Sequence, residues 1–189
     1  NAQGKTNILE SIYVLSVTKS HRCNKDLFLI KNDCLFTKIR GDISNSNNKN
    51  NSFEILINKN GKRVSINNNI LKKTSEYLSN INVVMYCPDE LEIVKGSPIG
   101  RRKFLNIEIG QFNNNYIKEL TEYNKILKNR NEYLKNSSFD KTYFDIITEK
   151  LIDQNIKIYK YRKNYIENIK KYISKIYKNI TGKDKIEVK

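Results

Sequence analysis

Gly4-Lys5-Thr6, followed by Asn7, is the stretch whose residue types and spacing do recognisable chemistry. It is the back half of G-x-x-x-x-G-K-[ST], in which backbone N–H groups cradle phosphates, the lysine reaches the β/γ-phosphates and the hydroxyl takes Mg²⁺. Asn1, Ala2, Gln3 and Asn7 would complete the loop and its exit into a helix. The first glycine of the pattern would precede Asn1, so the chain is expected to begin inside the loop, as a fragment without the strand before it. A Gly-Lys-Thr triplet alone is also compatible with a surface turn entering a helix. The context favours the loop, because Ile8, Leu9, Ile12 and Leu15 recur at helical spacing over residues 6–16. That spacing predicts a helix whose N-terminal N–H groups face the anion, with Asn7 and Glu10 in its first turn.

Charge is the second clue. The 189 residues carry 35 Lys+Arg against 20 Asp+Glu, a net charge of +15. Such an excess points to a polyanion, nucleic acid before membrane, since no apolar span is present. Lysine is abundant together with Asn, Ile and Tyr, so part of the excess is read as solvated surface. Arginine is the more selective witness: Arg22, Arg101, Arg102 and Arg130 fall in the motif-like stretches named below, where a planar bidentate donor suits phosphate. Residues 1–96 hold 14 basic and 9 acidic groups, and residues 97–189 hold 21 and 11, so the excess leans toward the second half. Cys23, Cys34 and Cys87 lack C-x-x-C spacing and His21 is the only histidine, which leaves no Cys/His metal site and favours a reduced, cytoplasmic setting.

The elements that position these residues follow from periodicity. Residues 34–40 and 53–57 read as strands, with an Asn/Ser-rich loop between Ser44 and Ser52. Asn60-Gly61 signals a type I′ turn, making residues 53–66 a hairpin. Ile81 to Tyr86 reads as a short buried strand. It leads to Cys87-Pro88-Asp89-Glu90, whose acids imitate a Mg²⁺-ordering strand end, although Pro88 favours a turn there. At Gly96-Ser97-Pro98 the pattern turns helical, Ser97 serving as N-cap and Pro98 opening the first turn. One helix carries Phe104, Leu105 and Ile109 and is interrupted near 113–115. A second carries Tyr116, Leu120, Tyr123, Leu127 and Leu134 and closes at Ser137-Ser138. A third, from Lys141 to Ile180, bears the stripe Ile166, Ile169, Ile173, Ile176 and Ile180, ends at Gly182, and is long enough to break in its middle. Within residues 157–178, eight Lys/Arg interleave with five tyrosines. That is either a stacking-and-phosphate surface or, on the reading preferred here, the solvated face and core edge of an amphipathic helix. The division expected is 1–96 for an α/β lobe and 97–189 for a helical lobe.

In order and spacing, Asn1 to Glu10, Lys19-Ser20-His21-Arg22, Asn82-Val83-Val84 leading to Pro88-Asp89-Glu90-Leu91, Val94-Lys95-Gly96-Ser97-Pro98 with Arg101-Arg102-Lys103-Phe104-Leu105, and Leu127-Lys128-Asn129-Arg130-Asn131 resemble the RecF family of bacterial DNA replication and recombination-repair ATPases. The resemblance covers nearly the whole chain. It implies a partial P-loop NTPase head of the ATP-binding-cassette type, an α/β lobe I with strands and a hairpin followed by a helical lobe II. It also implies ATP and Mg²⁺, head-to-head dimerisation on ATP, binding of single-stranded, gapped or junction DNA, recombinase loading with RecO and RecR, and service in DNA replication, recombination, repair and the SOS response. Position by position, Gly4, Lys5 and Thr6 take the phosphate and Mg²⁺ roles, with Asp89 a second Mg²⁺ candidate. Lys19, His21 and Arg22 are candidates for nucleotide or DNA contact. Arg101 and Arg102 are candidates for a phosphate contact, or else cap or pair within the helical lobe. No L-S-x-G-Q signature, later strand ending in Asp or switch histidine is found, so the segment is expected to hold half a composite site and to be inactive alone, while the complete protein is a weak DNA-dependent ATPase. Two other readings remain: a nucleotide-independent basic scaffold binding DNA or protein, and, more distantly, a small-molecule P-loop kinase.

Overall fold

The computed structural model describes residues 4–44, 49–86, 92–135, 140–183 and 186. The chain is an α/β protein that divides into two compact units, residues 1–114 and 115–189. The helical half expected to open at Ser97 is therefore shared between the two.

The first unit is built on α1 (Lys5–Val17) and an antiparallel meander of β1 (Phe36–Ser44), β2 (Asn50–Asn58), β3 (Gly61–Ile66) and β4 (Asn69–Ile70). Strand alternation explains its core. Phe53, Ile55 and Ile57 project to one face of β2 and are buried, Val64 joins them from β3, and Val14 and Leu15 close the layer from α1. Tyr77, from the one-turn α2 (Thr74–Tyr77), sets its ring edge-on to Phe53 at 5.9 Å. Burial of each such side chain contributes about 1.5–3 kcal/mol.

The hairpin over residues 53–66 forms, but its turn is Lys59-Asn60, since Asn58 pairs with Gly61. Neither turn residue has positive φ; Gly61 takes it (+131°), and the Asn58 side chain accepts from the Asn60 N–H at 2.9 Å. The turn with both central residues at positive φ is Asn67-Asn68 (51° and 65°), between β3 and β4. Residues 45–48 of the Asn/Ser stretch lie outside the described residues, but its edges depart from expectation: Asp42–Ser44 pairs with Asn50–Ser52, extending the β1–β2 ladder. Backbone pairing needs no apolar side chain, and these residues lie away from the core. The strand expected over Ile81–Tyr86 is absent, with Val84 almost fully exposed. Its backbone is held by side chains instead of a neighbouring strand: Ser16 Oγ donates to the Ile81 carbonyl (2.7 Å), and the Val83 N–H donates to Gln111 Oε1 (2.9 Å).

After α3 (Glu92–Lys95), α4 (Pro98–Phe112) completes this unit. Ser97 caps it through the Gly100 N–H and Pro98 occupies the first turn, as the sequence indicates. The second unit pairs α5 (Asn114–Tyr133) with α6 (Lys141–Thr181), antiparallel by their contacts. Tyr133 meets Tyr143 at one end (4.9 Å between ring centroids), and Tyr116 meets Tyr161 at the other (5.6 Å). Asp140 caps α6 and Gly182 ends it at φ 70°. The helix is unbroken over 41 residues, about 60 Å. Ser137-Ser138 lies outside the described residues.

Candidate phosphate-binding site

Gly4 is the N-cap of α1 in the left-handed region, φ 77° and ψ 6°, a conformation glycine adopts without penalty. The first turn closes through the Ile8 N–H to the Gly4 carbonyl at 3.0 Å. No side chain caps the helix, and its first turn carries no acid. The N–H groups that begin a helix have no intrahelical partner, so together with the dipole they present a positive, donor-rich end. Lys5, Thr6 and Asn7 are exposed there. A lysine, a hydroxyl and open N–H groups fit a polyphosphate and its hard cation. Asn1, Ala2 and Gln3 lie outside the described residues, as do Asp89 and the rest of Cys87–Leu91. Among the described residues no group of three or more His, Cys, Asp or Glu side chains is placed to hold a metal ion. Thr6 is thus the described candidate ligand for Mg²⁺.

Two expectations for α1 need correction. Ile8, Leu9 and Ile12 are 62%, 62% and 47% exposed; the buried residues are Val14 to Val17, where β1, β2 and α4 pack on the helix. Periodicity identified an apolar face but not the length of it that is covered. Glu10, placed by expectation in the first turn, sits beyond it and serves another purpose. Its carboxylate accepts from Ser20 Oγ and pairs with Arg22 Nη1 at 3.3 Å, while Ser20 Oγ also accepts from the Arg22 (2.9 Å) and Cys23 (3.2 Å) N–H groups. This network fixes the turn after α1. Its entry is Thr18, at φ 59°, whose carbonyl accepts from Lys62 Nζ; that ammonium also pairs with Asp26 at 2.9 Å.

The candidates for nucleic acid do not gather in one place. Arg22 lines a cavity of about 550 Å³ with Asn7, Glu10, Ser11 and Phe28, beside the first half of α1. Lys19 and His21 line a different one, of about 310 Å³, with Tyr13 and the start of α4. Arg101 Nη1 donates to the Gly96 carbonyl (2.8 Å), which favours the capping alternative. Arg102 is exposed and makes no hydrogen bond or ion pair with a described residue. Arg130 is committed inside the second unit, donating to Thr148 Oγ1 (3.1 Å) with its guanidinium 4.5 Å from the Phe144 ring centroid. Lys103 was missed as a candidate. It lies in the second turn of α4, six residues after the N-cap Ser97, and lines the same cavity as Lys19 and His21; the signal was its place beside Arg101-Arg102.

The basic and aromatic run on α6 divides. Tyr161 packs against Tyr116, which accepts from Arg162 Nε at 3.2 Å, whereas Tyr159 and Tyr172 are exposed. Ile176 and Ile180 at the end of the apolar stripe are also exposed.

No family model matches the chain. Known proteins do. It is 38% identical over its whole length to the DNA replication and repair protein RecF of Oenococcus oeni, spanning 52% of that protein, and 39% identical to that of Bacillus cereus, spanning 51%. It superposes on a solved structure of the recombination mediator protein RecF-ATP in the RecFOR pathway with TM-score 0.92 at 36% identity, covering 97% of this chain and 50% of that one. The RecF-ATPrS structure from the same pathway gives 0.90. The chain spans about half the length of the relatives it matches. No helix among the described residues is long and apolar enough to cross a membrane.

Proposed function

From a chain that matches RecF in sequence and fold along its whole length, and about half of each RecF it matches, we propose an ATP-binding segment of a cytoplasmic DNA replication and recombinational-repair protein. The observation that carries this reading is the start of α1, a left-handed glycine opening an uncapped helix with an exposed lysine and threonine. In it, the backbone N–H groups of residues 5–7 and the Lys5 ammonium hold the β- and γ-phosphates, and the Thr6 hydroxyl contributes one oxygen to Mg²⁺. Lys5 acts through charge and position and forms no covalent bond. ATP supplies the phosphate charge that draws two such proteins together head to head. The closed pair binds single-stranded, gapped or junction DNA and works with RecO and RecR to load recombinase. The net charge of +15 supports a polyanion partner.

The test is sedimentation of the full-length protein with and without ATP. Lys5→Ala is expected to abolish ATP-dependent dimerisation. An undiminished dimer in that variant would overturn the reading. DNA affinity indifferent to ATP would favour the nucleotide-independent scaffold instead.

A further inference from the structure

The cavity of about 310 Å³ toward the far end of α1 begins at Tyr13, well along the helix from Lys5, continues to Lys19 beyond the helix end, and is lined by different groups. The 13 residues of α1 separate its two ends by about 20 Å, too far for one triphosphate to serve both. The described lining residues include Lys19, His21 and Lys103 and, among them, no acid. Lys19 and Lys103 form no ion pair with a described acid. Glu10, the carboxylate that contacts the Lys19–Arg22 turn, is already engaged by Ser20 and Arg22. On the other wall is the first turn of the 15-residue α4, without an acid, where a side chain at Gly100 would meet nothing within 4 Å. The space beside the Gly100 backbone on that wall is therefore open. His21 adds a further sign. Its ring is held edge-on by Tyr13 at 5.5 Å, it lines the cavity, and its Nδ1 is buried without a hydrogen-bond partner.

We propose that Lys19, His21 and Lys103 form a second phosphate site, separate from the one at the start of α1, which takes a single phosphate group of a DNA backbone or a free phosphate. The inference rests on the DNA-binding reading only for the first of those sources. A concave site lined by cations, with no acid among its described lining residues, concentrates positive potential, and that is the chemistry a phosphate oxygen answers. Lysine suits it as a compact point charge at the rim.

Because His21 is the only histidine, its imidazole resonances report on this cavity alone. At fixed pH the chain is titrated with inorganic phosphate and, separately, with a short duplex carrying a single-stranded end. The DNA-bound fraction is followed in parallel by fluorescence anisotropy. A His21 shift with either probe, lost in the double variant Lys19→Gln/Lys103→Gln and kept in Lys103→Arg, supports the site. If DNA is the source, the double variant also lowers the slope of log affinity against log salt by about 1, the loss of one phosphate contact. A shift with phosphate while the chain fails to bind DNA supports a free-phosphate site and overturns the DNA-binding reading instead. DNA bound with no movement of His21 by either probe, or a double variant that responds like the parent, overturns the proposal. Thermal unfolding of each variant confirms that the fold is kept.

Discussion

The segment over residues 81–83 should depend on two side chains in place of a neighbouring strand. Ser16, 1% exposed, donates to the Ile81 carbonyl at 2.7 Å, and its oxygen lies 3.2 Å from Gln111 Oε1. Gln111, 4% exposed, accepts the Val83 N–H at 2.9 Å. A hydroxyl has one proton, so the shorter contact is the stronger bond and the Gln111 contact is secondary. Ser16→Ala leaves the Ile81 carbonyl without its donor. Gln111→Met, of similar volume, leaves the Val83 N–H without its acceptor. Each loss in a part-buried setting costs about 1–2 kcal/mol, below the full penalty for a buried orphan because water reaches the segment. Both bonds anchor the same three residues, so once one is gone the segment relaxes and the second loss costs less. The double variant should fall short of the sum by about 0.5–1 kcal/mol. Urea unfolding of the four proteins, compared at constant slope, gives these values. Single effects below about 0.3 kcal/mol, or strict additivity, would refute the account of how this segment is held.

Three further outcomes are expected. Burial pushes the Tyr77 hydroxyl well above the usual phenol range, and it has no hydrogen-bond partner. The unfolded tyrosine ionises near pH 10 while the folded one stays neutral, so this contribution is intact below about pH 10 and is lost as pH rises above it; Tyr77→Phe should flatten that loss in thermal unfolding and cost little at pH 7. A Cβ at Gly41 would stand 2.9 Å from Leu15 Cδ1 in the core, so Gly41→Val should destabilise the first unit by about 1–3 kcal/mol in urea unfolding, as α1 is pushed from the sheet. Asp140 accepts from the Thr142 (2.8 Å) and Tyr143 (3.3 Å) N–H groups at the start of α6, and Asp140→Ala should cost about 1 kcal/mol, read as a lower melting temperature.

Local signals were legible where one residue's backbone chemistry decides the outcome. Gly4-Lys5-Thr6, Ser97-Pro98 and Gly182 each mark a helix end where the structure has one. The hairpin was legible too, though the Asn-Gly pair drew attention from Asn67-Asn68, because either pair tolerates positive φ and only register decides which turn is made. What failed was non-local. Ile81 to Tyr86 has strand composition, yet a strand needs a partner ladder, and α1 and α4 side chains supply the bonds instead. Ile8, Leu9 and Ile12 have helical spacing, yet spacing does not say how far along the helix another element packs. The candidate basic residues were found as types, but their partition between two cavities, and the inclusion of Lys103, depend on how α4 meets the turn after α1.

The central claim is that the start of α1 holds nucleotide phosphate, and site-specific amide chemical shifts test it most directly. With Mg²⁺ present, titration of ATP into the isotope-labelled protein should move the Lys5, Thr6 and Asn7 amides saturably and together, and Lys5→Ala should abolish the response while leaving the rest of the spectrum in place. Shifts confined to other parts of the chain, or none at millimolar ATP, would contradict the assignment.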